Sequence, residues 1–507
     1  MKRSPTVVVI GAGAAGLATA KSLLDDGIDV TVLEKGDRPG GLWAIDNASG
    51  LSPAYDSLHL NTSRRRTEFV DFPMPSDWPD YPSAASIEGY LRDYADTFGV
   101  TDVIRFGAEV TDLVRTGDAW RVTYRDLGDG ADSDASADTD RGARTGRGAP
   151  AGADDSTDTL VADAVIVANG HNWCPRWPDP GPPGDFTGLQ MHARDHRAAQ
   201  RFAGERVLVV GMGNSAMDIA VDASYVAAAP VLLSARRGVH VVPKYLFGRP
   251  SDATGARLAT LPWRMRQRIA QTMLRIAVGT PQSYGLPEPS GGLFQNHPTI
   301  SDTIHHRLTH GEVVPRPGIV RFDGRTVHFA DGSADEVDTL VWATGYRVSI
   351  PFLGSEWTGG DPERMPLYQR VFHLEDPSLM FVGLMQSTGA ALPVVEQQAK
   401  LAAAHLAGRY ALPARTEQQR AVARSRAAAI DRWGDSRPMM RIDFDEYVNA
   451  LPKEVAAGME RARRGSSVYA VATRPTPTTP RTSAQTHAPL EAGTTPATRT
   501  LTEETAP

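Results

Sequence analysis

Two stretches of the chain repeat one order of events: an unbroken apolar run, a glycine-rich turn, a helical stretch and a second apolar run. In the first, Val7, Val8, Val9 and Ile10 form the continuous run expected of a strand buried on both faces of a parallel sheet. Gly11, Gly13 and Gly16 then give G-x-G-x-x-G, a helix is predicted from about Ala14 to Leu24, and a strand over Asp29 to Leu33 ends at Glu34. In the second, Val207 to Val210 is the strand and Gly211-Met212-Gly213-Asn214-Ser215-Ala216 is G-x-G-x-x-A. A helix is predicted from about Ser215 to Ser224 and a strand over Val231 to Leu233. Glycines at this spacing permit a tight turn, close backbone approach to a pyrophosphate and close helix–strand packing, and the helix N-terminus favours phosphate.

Elsewhere the periodicity predicts a helix over about Ser86 to Phe98, with Ile87, Tyr90, Leu91 and Tyr94 on one face. Alternation over Ile104 to Arg115 and Trp120 to Arg125 predicts a half-exposed hairpin. Asp126 to Asp158 is nearly all Gly, Ala, Asp, Ser, Thr and Arg, too little apolar surface to offset ordering, and is expected to be a disordered insertion in a hairpin loop. Ordered sequence is expected to resume at Leu160, with a buried strand over Ala164 to Ala168. Pro262 to Val278 reads as a helix with Met265, Ile269, Met273 and Ile276 on one side. Strands are predicted at Val327 to Phe329 and Thr339 to Trp342, bridged by Asp331-Gly332-Ser333, and at a short run ending in Phe381-Val382-Gly383. A helix over about Pro393 to Ala407 stops at Gly408. The segment Tyr55 to Tyr81, rich in Pro, aromatic residues and Asp, reads as loop packed over something, and from about Ala472 the Thr/Pro/Ala-rich chain is expected to be a disordered tail.

The expected fold class is therefore α/β, two Rossmann-like dinucleotide-binding domains with the second inserted in the first. Residues 1–200 and 326–455 would form the first domain, 201–325 the second with a helical insertion, and 472–507 the tail. A chain of 507 residues with 41% hydrophobic residues can bury such cores, and a net charge of -7 argues against a nucleic-acid protein. The single cysteine, Cys174, excludes an intramolecular disulfide and a dithiol redox centre, and suits a cytoplasmic protein. The basic, apolar N-terminus imitates an export signal, but the glycine pattern accounts for the same residues, and there is no apolar run of about 18 residues to span a membrane. The arginines on the predicted helix over 262–278 (Arg264, Arg266, Arg268 and Arg275) suit a cap or dimer helix better than a membrane-surface one. His297, His305, His306 and His310 lack an acid or cysteine at ligand spacing, so no metal site is expected.

The two turns differ in the residues at the end of their second strand. Glu34 lies where an acid binds a ribose hydroxyl, whereas Ser234-Ala235-Arg236-Arg237 offers arginines that pair with a 2′-phosphate an acid would repel. A flavin dinucleotide in the first turn and NADPH in the second is the combination this suggests. Gly40-Gly41-Leu42-Trp43 adds a second glycine loop for close cofactor approach.

With these motifs in place, residues 5 to 455 outside the insertion resemble the flavin-containing monooxygenases, the class B flavoprotein monooxygenases. Gly11 to Gly16 and Gly40 to Trp43 resemble the family's FAD loops. Gly211 to Ala216, with Asp218, resembles its NADPH site. Phe186-Thr187-Gly188-Leu189-Gln190-Met191-His192 matches the start of its F-x-G-x-x-x-H-x-x-x-aromatic signature, but His196 stands where the last aromatic is usual. Asp338 to Tyr346 resembles its A-T-G-Y region and Asn61-Thr62-Ser63 its N-T-S segment. The resemblance implies FAD contacts from Gly11, Gly13, Ala14, Ala15, Gly16, Glu34, Lys35, Gly41, Leu42, Trp43, His59, Asn61, Thr62, Val110, Ala168, Asn169 and Gly170. It implies coenzyme contacts from Gly211, Gly213, Asn214, Ser215, Ala216, Ser234, Arg236, Arg237, Thr344, Gly345 and Tyr346, and a loop-fixing role for His192.

It further implies that NADPH reduces FAD, that the reduced flavin adds dioxygen to give a C4a-(hydro)peroxyflavin, and that a soft amine nitrogen or sulfide sulfur of a small molecule takes one oxygen, with Asn61 as the catalytic residue. Baeyer–Villiger oxygenation of a ketone is the nearest alternative, although the Tyr-Pro-Gly stretch of those enzymes has no clear match after Trp43. A peroxide-releasing NADPH oxidase or flavin reductase, and a scaffold that retains flavin structurally, are the others. Substrate identity and oligomeric state stay open, a homodimer being compatible with the pattern.

Overall fold

The computed structural model describes residues 4–128, 157–256, 258 and 261–466. The chain opens with β1 (Thr6–Ile10), α1 (Ala14–Asp25) and β2 (Asp29–Leu33), a parallel β–α–β unit paired in register from Thr6 opposite Asp29 to Ile10 opposite Leu33. The short helix α2 (Arg64–Thr67) and the longer α3 (Ala84–Thr97) come next. Ser83 caps α3 by accepting a hydrogen bond from the Ser86 N–H.

The predicted strand from Ile104 to Arg115 is two strands. β3 (Ile104–Arg105) pairs parallel with β2, whereas β4 (Ala108–Thr116) turns away into an antiparallel sheet with β5 (Ala119–Asp126) and β6 (Thr157–Ala162). Gly107, at φ +67°, makes the corner, a conformation that L side chains rarely adopt. Thr157 and Asp158 already pair with Arg125 and Tyr124, so ordered chain resumes before Leu160. Of the insertion predicted over Asp126 to Asp158, Asp126 ends β5 and Thr157 and Asp158 begin β6, while 129–156 and the predicted tail lie outside the described residues.

β7 (Ala164–Val167) returns beside β1. The main sheet runs Leu367–Tyr368, Phe372–His373, Leu379–Phe381, β7, β1, β2, β3. Its alternation divides two cores. Val7, Val9, Val30 and Val32 face the helices through Leu17, Leu23, Ile87 and Tyr94. Val8, Ile10, Leu33, Val165 and Val167 face the antiparallel sheet through Leu113, Trp120 and Val122.

Two strands precede the second fingerprint: β8 (Cys174–Pro175), paired antiparallel with Tyr346–Arg347, and β9 (Leu189–His192). β10 (Val207–Val210), α4 (Asn214–Ser224) and β11 (Val231–Ser234) then form the second β–α–β unit. Its parallel sheet runs Val313–Arg316, β11, β10, Thr339–Trp342, β9. Thr326–Phe329 does not join Thr339–Trp342 across Asp331-Gly332-Ser333 as predicted; it pairs with Ala334–Glu336, and Thr339–Trp342 enters the parallel sheet.

The helix Trp263–Val278 forms as predicted, with Ile269 and Met273 of the apolar row half-buried. Leu274 and Arg266 are buried, Arg266 pairing with the buried Asp443, while Met265 and Ile276 are exposed. Helices Arg415–Trp433 and Phe444–Arg461 lie outside the predicted elements, and Leu392–Leu406 matches the predicted one to within a residue. Among the described residues no helix is long and apolar enough to cross a membrane.

Candidate functional site

The two glycine turns are built alike. In each, the N-cap is a glycine, Gly13 for α1 and Gly213 for α4, with no side-chain cap and no acid in the first turn. The first-turn N–H groups are therefore left to whatever binds there, an arrangement suited to a phosphate. Gly11 and Gly211 have φ of +104° and +138°, and a Cβ on either would meet a carbonyl oxygen, that of Ala168 at 2.7 Å or of Ala343 at 2.4 Å. Gly213 has nothing within 4 Å of its missing Cβ, so its approach is open.

At the first turn Glu34 is buried. One carboxylate oxygen accepts the Ala12 N–H at 2.6 Å and the other the Gly36 N–H at 2.7 Å. Burial raises its pKa against the lowering by these N–H groups. Each oxygen keeps a lone pair, so the group remains competent for ribose hydroxyls. The Gly40 N–H donates to the Ala12 carbonyl at 3.1 Å, which seats the Gly40–Trp43 loop on the turn. The cradle, the uncapped helix and the carboxylate together fit an adenine dinucleotide. Ala14 and Ala15 start α1, and Lys35 points to the antiparallel sheet, where it pairs with Glu109 at 2.8 Å. Val110 is buried beneath β1 and β2. The Asn169 amide donates to the Ser349 carbonyl at 3.0 Å, beside Ala168 and the exposed Gly170.

A strap then crosses from the first turn toward the second. Ser52 donates its hydroxyl to the Leu42 carbonyl at 2.7 Å, tying the strap to the glycine loop of Leu42 and Trp43. His59 bridges to Ser83, and the Leu60 N–H donates to Pro82 at 2.9 Å. Asn61 is half-buried, and its carboxamide has no hydrogen-bond partner among the described residues. Its neighbours are fixed: Thr62 shares a hydrogen bond with Thr67, and Ser63 donates through both N–H and hydroxyl to Asp252.

At the second turn Ala216 is fully buried and packs α4 on its sheet. Asn214 accepts the Ile300 N–H at 2.8 Å, beside Ser215. Ser234 is fully buried and donates its hydroxyl to Pro317 at 2.7 Å, so its side chain braces the next loop and does not face an incoming phosphate. Arg236 and Arg237 are exposed at the end of β11 and form no ion pair among the described residues. Two unneutralised guanidinium groups beside an open turn fit a phosphorylated ribose.

His192, buried at the end of β9, donates from Nε2 to the Gly345 carbonyl at 3.1 Å and accepts the Arg194 N–H at Nδ1. It ties Gly345 to the end of β9 and meets the Tyr346 ring edge-on at 5.4 Å. Burial pushes the Tyr346 hydroxyl up to about 12. His196 is fully buried between Phe202, stacked at 5.4 Å, and Tyr55, tilted at 5.2 Å, and its Nε2 meets Asp222 at 2.9 Å. The residues that the sequence pattern does not single out are Ser52, Tyr55, Ser57 and Asp222. The available signal is Asp218 and Asp222 at i, i+4 on one amphipathic helix, an unusual cost for a helix packed on a sheet.

A family model described as Flavin-binding monooxygenase-like matches residues 4–132 and 143–460. The chain is 30% identical over 474 residues to flavin-containing monooxygenase 5 of Oryctolagus cuniculus, spanning 88% of this chain and 81% of that protein. It is 30% identical over 473 residues to dimethylaniline monooxygenase [N-oxide-forming] 2 of Rattus norvegicus, spanning 89% and 82%. In fold it matches S-allyl-L-cysteine S-oxygenase of Allium sativum at a TM-score of 0.62, with 23% identity over 92% of this chain and 93% of that one. It also matches the NADP+-bound cyclohexanone monooxygenase of Rhodococcus sp. Phi1 at 0.63, with 18% identity over 90% and 98%.

Proposed function

The chain belongs to the flavin-binding monooxygenase-like family, and on that premise we propose that it is an FAD- and NADPH-dependent monooxygenase transferring one oxygen atom to a nucleophilic nitrogen or sulfur of a small organic molecule. The observation that carries this reading is the pair of uncapped glycine turns, one backed by the Glu34 carboxylate and the other flanked by Arg236 and Arg237. The first suits a ribose without a 2′-phosphate, the second a ribose that bears one. The N-oxide-forming name of a relative aligned over most of both chains supports nitrogen as the target. The single cysteine supports a cytoplasmic setting.

When bound, a flavin reduced by the nicotinamide supplies the activation of dioxygen. What the chain supplies is placement. Gly11, Gly13 and Gly41 would let backbone approach the flavin dinucleotide, and Glu34 would orient its ribose. Arg236 and Arg237 would select the phosphorylated coenzyme. Asn61, between the bonded Leu60 and Ser63 and with a free carboxamide, would donate and accept hydrogen bonds beside the reacting oxygen and substrate. No acid–base triad is required of the protein for attack by a soft nucleophile.

The test is product accounting: NADPH oxidation, oxygen uptake and peroxide are measured with amine, sulfide and ketone panels. N-oxide or S-oxide formed in step with NADPH, with little peroxide, supports the reading. Ester from a ketone, or peroxide in step with NADPH whatever the substrate, overturns it.

A further inference from the structure

Two carboxylates of α4 face two hydroxyls of the strap that leaves the flavin loop. The Tyr55 hydroxyl donates to Asp218 Oδ2 at 2.6 Å, and the Ser57 hydroxyl donates to Asp222 Oδ2 at 2.6 Å. His196 Nε2 reaches the same Asp222 oxygen at 2.9 Å, so that oxygen gathers two donors. The ring of His196 is covered by Tyr55 and Phe202, and its Nδ1 is buried without a partner. A second clasp lies alongside. The Asp56 N–H donates to the Arg197 carbonyl at 2.8 Å, and the Arg197 guanidinium holds Asp46 at 2.8 Å and the Ser52 carbonyl at 3.2 Å.

These contacts lie on a continuous mechanical path. Ser52 is fastened to Leu42 in the glycine loop of the first turn. α4 begins at Gly213 of the second turn, and Asp218 sits a little over one helical turn along it. Asn61 is four residues beyond Ser57 on the same strap. Placing two like charges at i, i+4, with Asp222 buried and Asp218 half-buried, is unfavourable, and apolar packing would join two domains more cheaply. Hydroxyl–carboxylate bonds instead fix direction as well as distance.

We propose that Tyr55, Ser57, Asp218, Asp222 and His196 form a latch between the two dinucleotide sites, positioning residues that hold nicotinamide and flavin in register for hydride transfer. The assignment rests on the reading of the two turns as flavin and nicotinamide sites. With both groups bound, a hydride leaving the nicotinamide with its electron pair would be received by the flavin, and Tyr55, Ser57, Asp218, Asp222 and His196 would set the distance and angle on which that rate steeply depends. His196 is this chain's substitute for the usual aromatic ring: it keeps the stacking and adds a bond to Asp222.

The test compares Tyr55→Phe, Ser57→Ala and Ser57→Thr in the FAD-loaded enzyme. Anaerobic stopped-flow reduction by NADPH gives the limiting rate and the coenzyme Kd separately. Hydrogen exchange of residues 52–60, in enzyme without NADPH, reports the latch itself. Tyr55→Phe and Ser57→Ala are expected to lower the limiting rate about tenfold with Kd and flavin content within about twofold. Exchange over 52–60 should quicken in both, and Ser57→Thr, which keeps the hydroxyl, should recover the rate. Faster exchange with an unchanged reduction rate would reduce the contacts to packing and overturn the proposal, as would no change in either. Wild-type flavin that NADPH fails to reduce would remove the site reading and with it the hydride role, while the exchange would still decide whether the strap is latched.

Discussion

Gly13 and Gly41 meet backbone to backbone across the first turn: a Cβ on Gly41 would stand 2.8 Å from the Gly13 Cα, whereas one on Gly13 would meet only the Gly41 Cα, at 3.6 Å. Gly13 also has an ordinary φ of -72°. Its lack of a side chain is thus not demanded by the protein, which leaves the ligand as the reason.

Gly13→Ala should therefore fold with a loss of no more than about 1 kcal/mol, the scale of an altered N-cap, yet retain flavin poorly. Gly16→Ala should instead destabilise the fold by about 3 kcal/mol or more, because its Cβ would stand 1.8 Å from the Gly11 carbonyl oxygen. Flavin-to-protein absorbance after gel filtration, with thermal midpoints of the flavin-free proteins, checks both. Full flavin content in Gly13→Ala would remove that glycine from the site.

Arg236 and Arg237 are exposed and unpaired among the described residues, so replacing them disturbs no structural ion pair. Arg236→Ala with Arg237→Ala should raise KM for NADPH about tenfold or more and leave that for NADH within about twofold. The wild-type preference should also weaken with salt. Equal effects on the two coenzymes would move the phosphate elsewhere.

The parts of this arrangement visible in the sequence are those fixed by local chemistry. β1, the first glycine turn, α1 and β2 come from a buried apolar run and three glycines, two of which, Gly11 and Gly16, have no room for a Cβ, and the structure keeps their predicted bounds to within a residue. The parts that are not visible depend on partners distant in sequence. Tyr55 and Asp218 are 163 residues apart, and nothing local to either marks the bond. Arg266 of Trp263–Val278 is buried against Asp443, 177 residues away, although a count of apolar positions assigns it to solvent. Ser234 is a further case: its place in the motif suggests the coenzyme, and the bond from its hydroxyl to Pro317, 83 residues on, is marked by nothing local.

Asp218 supplies a pH test. Desolvation raises its carboxyl to about 6 from the ordinary 3.8, aided by nearby Asp222 and opposed by the Tyr55 hydroxyl, Lys244 and His196. A folded-state pKa raised above the unfolded one means that this group stabilises the fold fully below about pH 4 and that the contribution is lost as pH rises through about 6. Asp218→Asn keeps an oxygen to accept the Tyr55 hydroxyl and removes the titration. Its thermal midpoint relative to wild type should rise between pH 4 and pH 8, since above about 6 only the wild type holds a buried charge there. A difference that does not vary over that interval would show that Asp218 does not titrate in the folded protein as its burial requires.

Asn61 separates reduction from oxygen transfer. Its backbone is pinned on both sides, by Leu60 to Pro82 and by Ser63 to Asp252, while its carboxamide has no protein partner among the described residues. Asn61→Ala should therefore leave the strap and the reduction of flavin by NADPH within about twofold of wild type, because no positioning contact is lost. Removing a preorganised donor beside a reacting oxygen typically lowers the rate about a hundredfold. Oxygenated product per NADPH should accordingly fall to about a tenth or less, with peroxide making up the balance. Asn61→Asp, similar in shape but without the amide donor, should fail in the same way, which distinguishes loss of the donor from loss of volume. Unchanged product yield in both variants would remove Asn61 from the chemistry and leave it as a conformational feature of the strap.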